Sequence, residues 1–172
     1  MTKYQLAKLV QSIGVVDTRK RLQKVVYLLK SAGCPLESDF ILHHYGPYSH
    51  SLAYLTDEMV RDGILVEECS PNATGQQYSY ELNSGVAESL AEFEKSKPAK
   101  AAKEFPAAWK AKTTELAKAD LKLLELASTV AYYRNSGNSW DKAGKETARF
   151  KEVSPESSIL TKAVELAKGM VK

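Results

Sequence analysis

The spacing of the apolar residues constrains this chain most, because it changes from a helical period to a strand period within the first half of the sequence. Residues 2–13, 18–32 and 50–62 repeat apolar side chains every three or four positions, which predicts three amphipathic helices. Residues 64–66 and 78–82 follow as strand candidates, the second alternating apolar and polar side chains, which predicts a β-hairpin. A further amphipathic stretch begins after Asn83 and predicts a fourth helix.

This order of elements is typical of a winged helix-turn-helix. We therefore expect a mainly α (α+β) fold in which residues 1–96 form a winged-helix domain with a two-stranded wing. Residues 97–112, rich in Lys, Ala and Pro, are interpreted as a linker, with a helical turn around Trp109 as a further option. Residues 113–172 are expected to form an α-helical C-terminal extension of three helices, the first spanning 113–134, that packs on the first domain or on a second subunit.

Composition places the chain among ordinary globular proteins. It has 172 residues, of which 44% are hydrophobic and 26% charged. The longest run of aliphatic and aromatic residues, 25–29, is far shorter than the ~20 residues that span a membrane. Cys34 and Cys69 are isolated, and the first residues lack a signal-peptide core. We expect a cytoplasmic bacterial protein without a membrane partner.

The net charge of +3 conceals a strong asymmetry. Residues 1–50 carry seven basic and three acidic groups, residues 51–94 carry one and nine, and residues 95–122 carry eight and three. The acidic block covers the proposed recognition helix and wing, and it would be repelled by DNA phosphates. This distribution favours protein binding over major-groove reading by the third helix.

A basic cluster at the start of the second helix supplies the candidate phosphate contacts of a DNA-binding alternative. These residues are Arg19, Lys20, Arg21 and Lys24. A solvated helix face explains the same cluster, and the lysines of residues 95–112 are equally compatible with a linker or a nucleic-acid arm.

The segment around Gly46-Pro47 is the most distinctive short string. One interpretation is a rigid turn that sets the entry of the third helix. The other is a recognition surface, for which the candidate partner-binding residues are Tyr45, Tyr48, Ser49, His50 and Tyr54.

The sequence contains no motif for catalysis or for a cofactor. It lacks a phosphate-binding glycine loop, paired CxxC motifs, HExxH and a nucleophile elbow. The three histidines, at positions 43, 44 and 50, are too few and too closely spaced to predict a four-ligand metal site. We expect no catalytic residues, no metal and no cofactor.

Four short motifs resemble a known group of proteins. Residues 22–28 (LQKVVYL), 45–49 (YGPYS), 62–65 (DGIL) and 124–130 (LELASTV) resemble the YwgA-like bacterial proteins, whose functions are largely uncharacterised. The first two motifs resemble, more distantly, the Panacea domain of SocA-type antitoxins. Tyr48 stands where Panacea domains often have a small aliphatic residue, which favours the YwgA-like group. The Panacea resemblance implies neutralisation of a toxin, or its delivery to a protease, by protein contact.

These observations predict a non-catalytic winged-helix protein that binds a protein partner, such as a toxin or a regulator, as an antitoxin or adaptor. The alternative is a DNA-binding transcriptional regulator, and a homodimer fits either function. A subunit that assists an enzyme is a third option without support from any motif.

Overall fold

A computed structural model describes residues 1–72 and 75–171 of the chain. Most of these residues are helical, and the strands form two small two-stranded antiparallel sheets, so the fold class is α+β. In chain order the elements are α1 (Lys3–Ile13), α2 (Arg19–Ser31), β1 (Ile41–His43), β2 (Gly46–Tyr48), α3 (His50–Arg61), β3 (Leu65–Asn72), β4 (Gly75–Leu82), α4 (Ser84–Ser96), α5 (Pro98–Glu104), α6 (Ala108–Lys118), α7 (Leu121–Asn135), α8 (Trp140–Phe150) and α9 (Ser158–Lys168).

The first three helices begin where the sequence provides capping side chains. Thr2 accepts a hydrogen bond from the backbone of Gln5, Thr18 from Arg21, and Ser49 from Leu52. Each side chain thereby satisfies one of the backbone N–H groups that a helix start leaves without a partner.

The predicted hairpin is present as β3–β4, with Leu65 opposite Leu82. Residues 73 and 74, in the predicted turn between these strands, lie outside the described residues, as does residue 172. The second sheet was not predicted. It pairs β1 with β2, with Ile41 opposite Tyr48, and so turns the segment before α3 into a short hairpin.

The segment interpreted as a linker, residues 97–112, contains α5 and the first turns of α6. Pro98 occupies the first turn of α5, where its missing N–H costs nothing, and alanines favour the helical conformation. Ala101 and Phe105 are buried, and α6 packs against α1 and α2. These residues are therefore part of the packed structure.

The helix predicted over residues 113–134 is two helices, α6 and α7, and this prediction was wrong. The break lies at Ala119-Asp120, where the Asp120 side chain accepts a hydrogen bond from the backbone N–H of Leu123 at 3.0 Å and caps α7. Residues 124–131 of α7 are all buried, because α7 packs against α2 and β2 on one side and against α8 and α9 on the other. One continuous hydrophobic core therefore joins the two halves of the chain.

Candidate functional site

The Leu-Gln-Lys segment of α2 holds the turn that precedes α3. The Gln23 side chain accepts a hydrogen bond from the Ser49 backbone N–H at 2.8 Å and donates one to the Ser49 carbonyl at 3.0 Å. The Lys24 Nζ donates to the Pro47 carbonyl at 2.7 Å. Both contacts are buried, so two motifs that lie about 20 residues apart in the sequence form one structural unit.

Gly46 allows this unit to approach α7. Its φ of +92° lies in a region that side chains rarely adopt, and an added Cβ would stand 2.6 Å from the Thr129 Oγ1. Thr129 is fixed in turn, because its hydroxyl donates to the Glu125 carbonyl at 2.7 Å. Glycine is needed at position 46 both for the backbone conformation and for the space.

Three lysines surround one carboxylate next to this turn, and we name Lys20, Lys24, Glu125 and Lys151 the lysine–glutamate cluster. The Lys20 Nζ lies 2.5 Å from Glu125 Oε1, and the Lys151 Nζ lies 3.8 Å from Glu125 Oε2. Burial is the main reason that the pKa of Lys24 falls to about 7; the charges of Lys151 and Lys20 lower it further, and Glu125 raises it. Burial also lowers the pKa of Lys151.

A pocket of about 300 Å³ opens beside the cluster, between α2, the β1–β2 hairpin and α3. Lys20 and Lys24 line it from α2, Tyr45 and Tyr48 from the hairpin, and Thr56 from α3. Cationic, aromatic and hydrogen-bonding side chains thus converge on one concave site, which is the usual composition of a ligand pocket.

The side chains of all four residues predicted to contact phosphates have partners within the chain. The Arg19 guanidinium lies 2.9 Å from Glu67 and 3.6 Å from Asp57, and its Nε donates to the Tyr80 hydroxyl. Arg21 pairs with Asp17 and donates to the carbonyls of residues 117 and 119 at the end of α6, at 2.7 and 2.6 Å. Lys20 pairs with Glu125, and Lys24 is only 1% exposed. Lys24 therefore lies in the interior, away from any surface on which a duplex could rest.

Four of the five candidate partner-binding residues share a surface, which we name the aromatic patch: Tyr45, Tyr48, His50 and Tyr54. Tyr45 is 51% exposed and Tyr54 is 65% exposed, while the Tyr48 and His50 rings lie 5.0 Å apart. His50 and Tyr54 lie one turn apart on α3 and so share a face of the helix.

Ser49, the fifth candidate, is fully buried. Its hydroxyl accepts from the Leu52 N–H at 3.1 Å, so it caps α3 and does not reach the surface.

Sequence reasoning missed three residues of this site. Glu125 is a charged residue within the apolar stretch 124–127, a pattern that signals a buried, paired charge. Gln23 belongs to the Leu-Gln-Lys motif, but its contact with Ser49 requires the fold. No local pattern around Lys151 indicates its place beside Glu125.

A metal-binding cluster and a membrane-spanning helix are both absent from the part of the chain that the structure describes. No three His, Cys, Asp or Glu side chains come together there as a metal ion would require. None of the helices within residues 1–72 and 75–171 combines the length and apolar character needed to cross a membrane.

The chain is similar to a protein of the bacterium Bacillus subtilis (strain 168). It is 33% identical over 78 residues to the uncharacterized protein YwgA of that organism. The aligned stretch is 45% of this chain and 47% of YwgA, so the match spans about half the length of that relative. No family model matches the chain.

Proposed function

We propose that this chain is a winged-helix protein that acts by binding another protein, as an antitoxin or adaptor, without catalysis. The winged-helix assignment is supported by a third strand position beside the β3–β4 hairpin. Val16, in the loop between α1 and α2, exchanges two backbone hydrogen bonds, of 2.8 and 2.9 Å, with Tyr80 of β4 in an isolated antiparallel bridge. A bridged position between the first two helices, followed by a third helix and a hairpin, fits the order of a winged helix, to which this chain adds the β1–β2 hairpin before α3.

The observation that carries the choice of a protein partner is the internal pairing of the basic residues. DNA affinity comes mainly from cations that neutralise phosphates and release counterions. Arg19, Lys20 and Arg21 each pair with a carboxylate of this chain, and Lys24 is buried. Moving Arg19 or Arg21 to a phosphate would break its ion pair with Glu67 or Asp17 and leave that carboxylate close to the negative duplex.

The aromatic patch supports the same conclusion, because exposed tyrosines are common at protein interfaces. They offer a large contact area and a hydroxyl, with few rotatable bonds to immobilise on binding. Tyr45 and Tyr54 are among the exposed large hydrophobic residues of the described part of the chain.

The test is co-expression of the chain with the proteins encoded beside its gene, followed by calorimetric titration of any complex that co-purifies. We expect Tyr54→Ala and Tyr45→Ala each to weaken the complex by about tenfold or more, as interface tyrosines commonly do. Val15→Ala is the matched control, since Val15 is 57% exposed and lies outside the aromatic patch. A complex that is insensitive to both tyrosine substitutions would contradict the proposal.

A DNA-binding regulator is the second candidate, and the exposed lysines of α4–α6 favour it. Lys97, Lys100, Lys103 and Lys110 are all exposed and belong to the basic block. DNA binding through these four lysines would weaken when they are changed to glutamine. It would not respond to Tyr54→Ala.

A further inference from the structure

The lysine–glutamate cluster brings two lysines with buried side chains and one partly exposed lysine to a single buried carboxylate. Lys24 is 1% exposed and Glu125 is 7% exposed, and the Lys151 side chain is 6% exposed. With Lys20 the lysine–glutamate cluster has three ammonium groups and one carboxylate. A buried charge is costly unless it is paired, so this surplus favours either loss of a proton or the binding of an anion.

Lys24 is the member of the cluster with unused hydrogen-bonding capacity. An ammonium group has three N–H donors. Among the described residues, its only hydrogen-bond acceptor is the Pro47 carbonyl at 2.7 Å. Lys20 and Lys151, in contrast, both approach Glu125.

The pocket beside Lys24 has the size and the walls of a small-molecule site. Its volume of about 300 Å³ is at the lower end of the range for ligand pockets, which suits a ligand of about the size of one substituted ring. Leu22, Ala53 and the ring of Tyr48 contribute apolar wall, while Arg19, Lys20 and Lys24 contribute positive charge. Asp57 is the acidic residue that lines it, and Asp57 is already paired with Arg19.

We propose that this pocket binds a small organic anion, a carboxylate or phosphate group carried on an apolar body, with Lys24 as the principal cation. The anion supplies the negative charge that the lysine–glutamate cluster lacks, and its apolar body replaces water against Leu22, Ala53 and Tyr48. The proposal goes beyond partner binding and does not depend on it, because the pocket is complete within one chain.

The proposal predicts that binding of the anion depends on pH. The ionisable groups around the Lys24 amine are Lys20 on α2, Glu125 on α7 and Lys151 at the end of α8. The other ionisable groups that line the pocket are Arg19, His43, Tyr45, Tyr48, Asp57 and Tyr80. Lys24 has a pKa of about 7, so above that pH an anion must bind together with a proton. Affinity therefore falls as the pH rises above about 7, and binding at that pH takes up protons from the buffer.

The experiment titrates the full chain with benzoate, phenyl phosphate and benzamide, and follows amide chemical shifts by NMR. Benzamide has the shape of benzoate without its charge. We expect at least one of the two anions to shift signals of Gln23, Ala53 and Thr56, and to bind about tenfold or more tightly than benzamide. The anion that binds identifies which of the two charged groups the site prefers.

Two variants locate the site and its charge. Lys24→Met keeps the length of the side chain and removes the amine, so the preference for the anion over benzamide should disappear. Lys30→Met is the control, because Lys30 is exposed on the same helix and does not line the pocket. Ala53→Leu fills the pocket with the cations intact and should abolish binding of all three compounds, which keeps the test valid if Lys24→Met does not fold.

Three results would overturn the proposal. The first is no shift of the pocket signals by either anion at up to about 20 mM, a concentration that detects even very weak binding. The second is equal binding of the anions and benzamide. The third is anion binding that survives Ala53→Leu, since the anion would then be held elsewhere.

Discussion

Two parts of this molecule differ in the residues that they bury between neighbouring elements. Where α2 meets the β1–β2 hairpin and α3, the buried contacts are polar and involve the side chains of Gln23 and Lys24. The two helices α7 and α9, which pack against each other, instead bury four small apolar residues completely: Ala127, Ala131, Ala163 and Ala167.

The difference concerns the part of the molecule at which both proposed binding surfaces lie. Small apolar residues let helices pack closely and need only the correct volume. Buried polar groups cost free energy when they lose a partner, so they fix one geometry. The polar junction also holds the pocket and presents Tyr45 and Tyr48, which is why both proposed binding surfaces adjoin it.

Gly46→Ala should do the greatest damage to the polar junction. The substitution places a methyl group against the Thr129 Oγ1 and also strains the backbone at a φ of +92°. We expect a loss of about 3 to 5 kcal/mol in the free energy of unfolding, measured by urea denaturation.

Gly137→Ala is the control for that experiment. Gly137 has nearly the same φ, +90°, but nothing lies within 4 Å of an added Cβ. The Gly137→Ala variant should lose only the free energy of unfolding that comes from backbone strain, about 1 to 2 kcal/mol. Equal losses in the two variants would show that the contact with α7 contributes nothing.

Gln23→Met removes both hydrogen bonds to Ser49 and keeps the approximate shape of the side chain. The buried Ser49 N–H and carbonyl would each lose a partner, so the free energy of unfolding should fall by about 2 to 4 kcal/mol. Gln11→Met, on the exposed side of α1, should change it by less than about 0.5 kcal/mol. A tolerated Gln23→Met would mean that packing alone positions α3.

Lys24→Met tests the buried charge through the pH dependence of stability. Folding lowers the pKa of Lys24 from 10.5 to about 7, so unfolding takes up a proton between those pH values. The penalty for burying the charge is fully present below pH 7 and is relieved as the pH rises. Relative to Lys24→Met, the free energy of unfolding of the wild-type chain should rise by about 2 kcal/mol between pH 7 and pH 9. A difference that does not change with pH would contradict the assigned burial.

Ala163→Leu tests the apolar junction, where we expect a smaller effect. Three added carbon atoms at a fully buried position of α9 should cost about 1 to 3 kcal/mol, because the neighbouring helices must move apart. The anion pocket and the aromatic patch should be unaffected, as judged by their NMR signals. Ala111→Leu, exposed on α6, is the control and should be nearly neutral.

Local patterns predicted the helical elements of the first half and the β3–β4 hairpin, since each depends on apolar periodicity, capping residues and turns. The break at Ala119-Asp120 was missed because the apolar stripe continues across it. The helices within residues 97–112 were not predicted, because alanine and lysine are compatible with both a linker and a helix, and packing against the core decides between them.

The candidate site was only partly predictable, for a related reason. Tyr45, Tyr48, His50 and Tyr54 lie within ten residues, so a single segment indicated them. The pairing of Arg19 with Glu67, or of Lys20 with Glu125, joins residues 48 and 105 positions apart. A single sequence does not reveal such pairs, on which the proposal that the basic cluster is unavailable to DNA depends.

The most direct test of the central claim, that the basic residues of α2 are committed within the chain, is the salt dependence of DNA binding. Fluorescence anisotropy would follow the full chain on a duplex of its own promoter between about 50 and 200 mM salt, with Arg19→Gln and Arg21→Gln as variants. We predict weak binding that neither variant alters. Tight binding whose salt dependence falls by about one ion with each variant would show that these arginines contact phosphates, and would contradict the account.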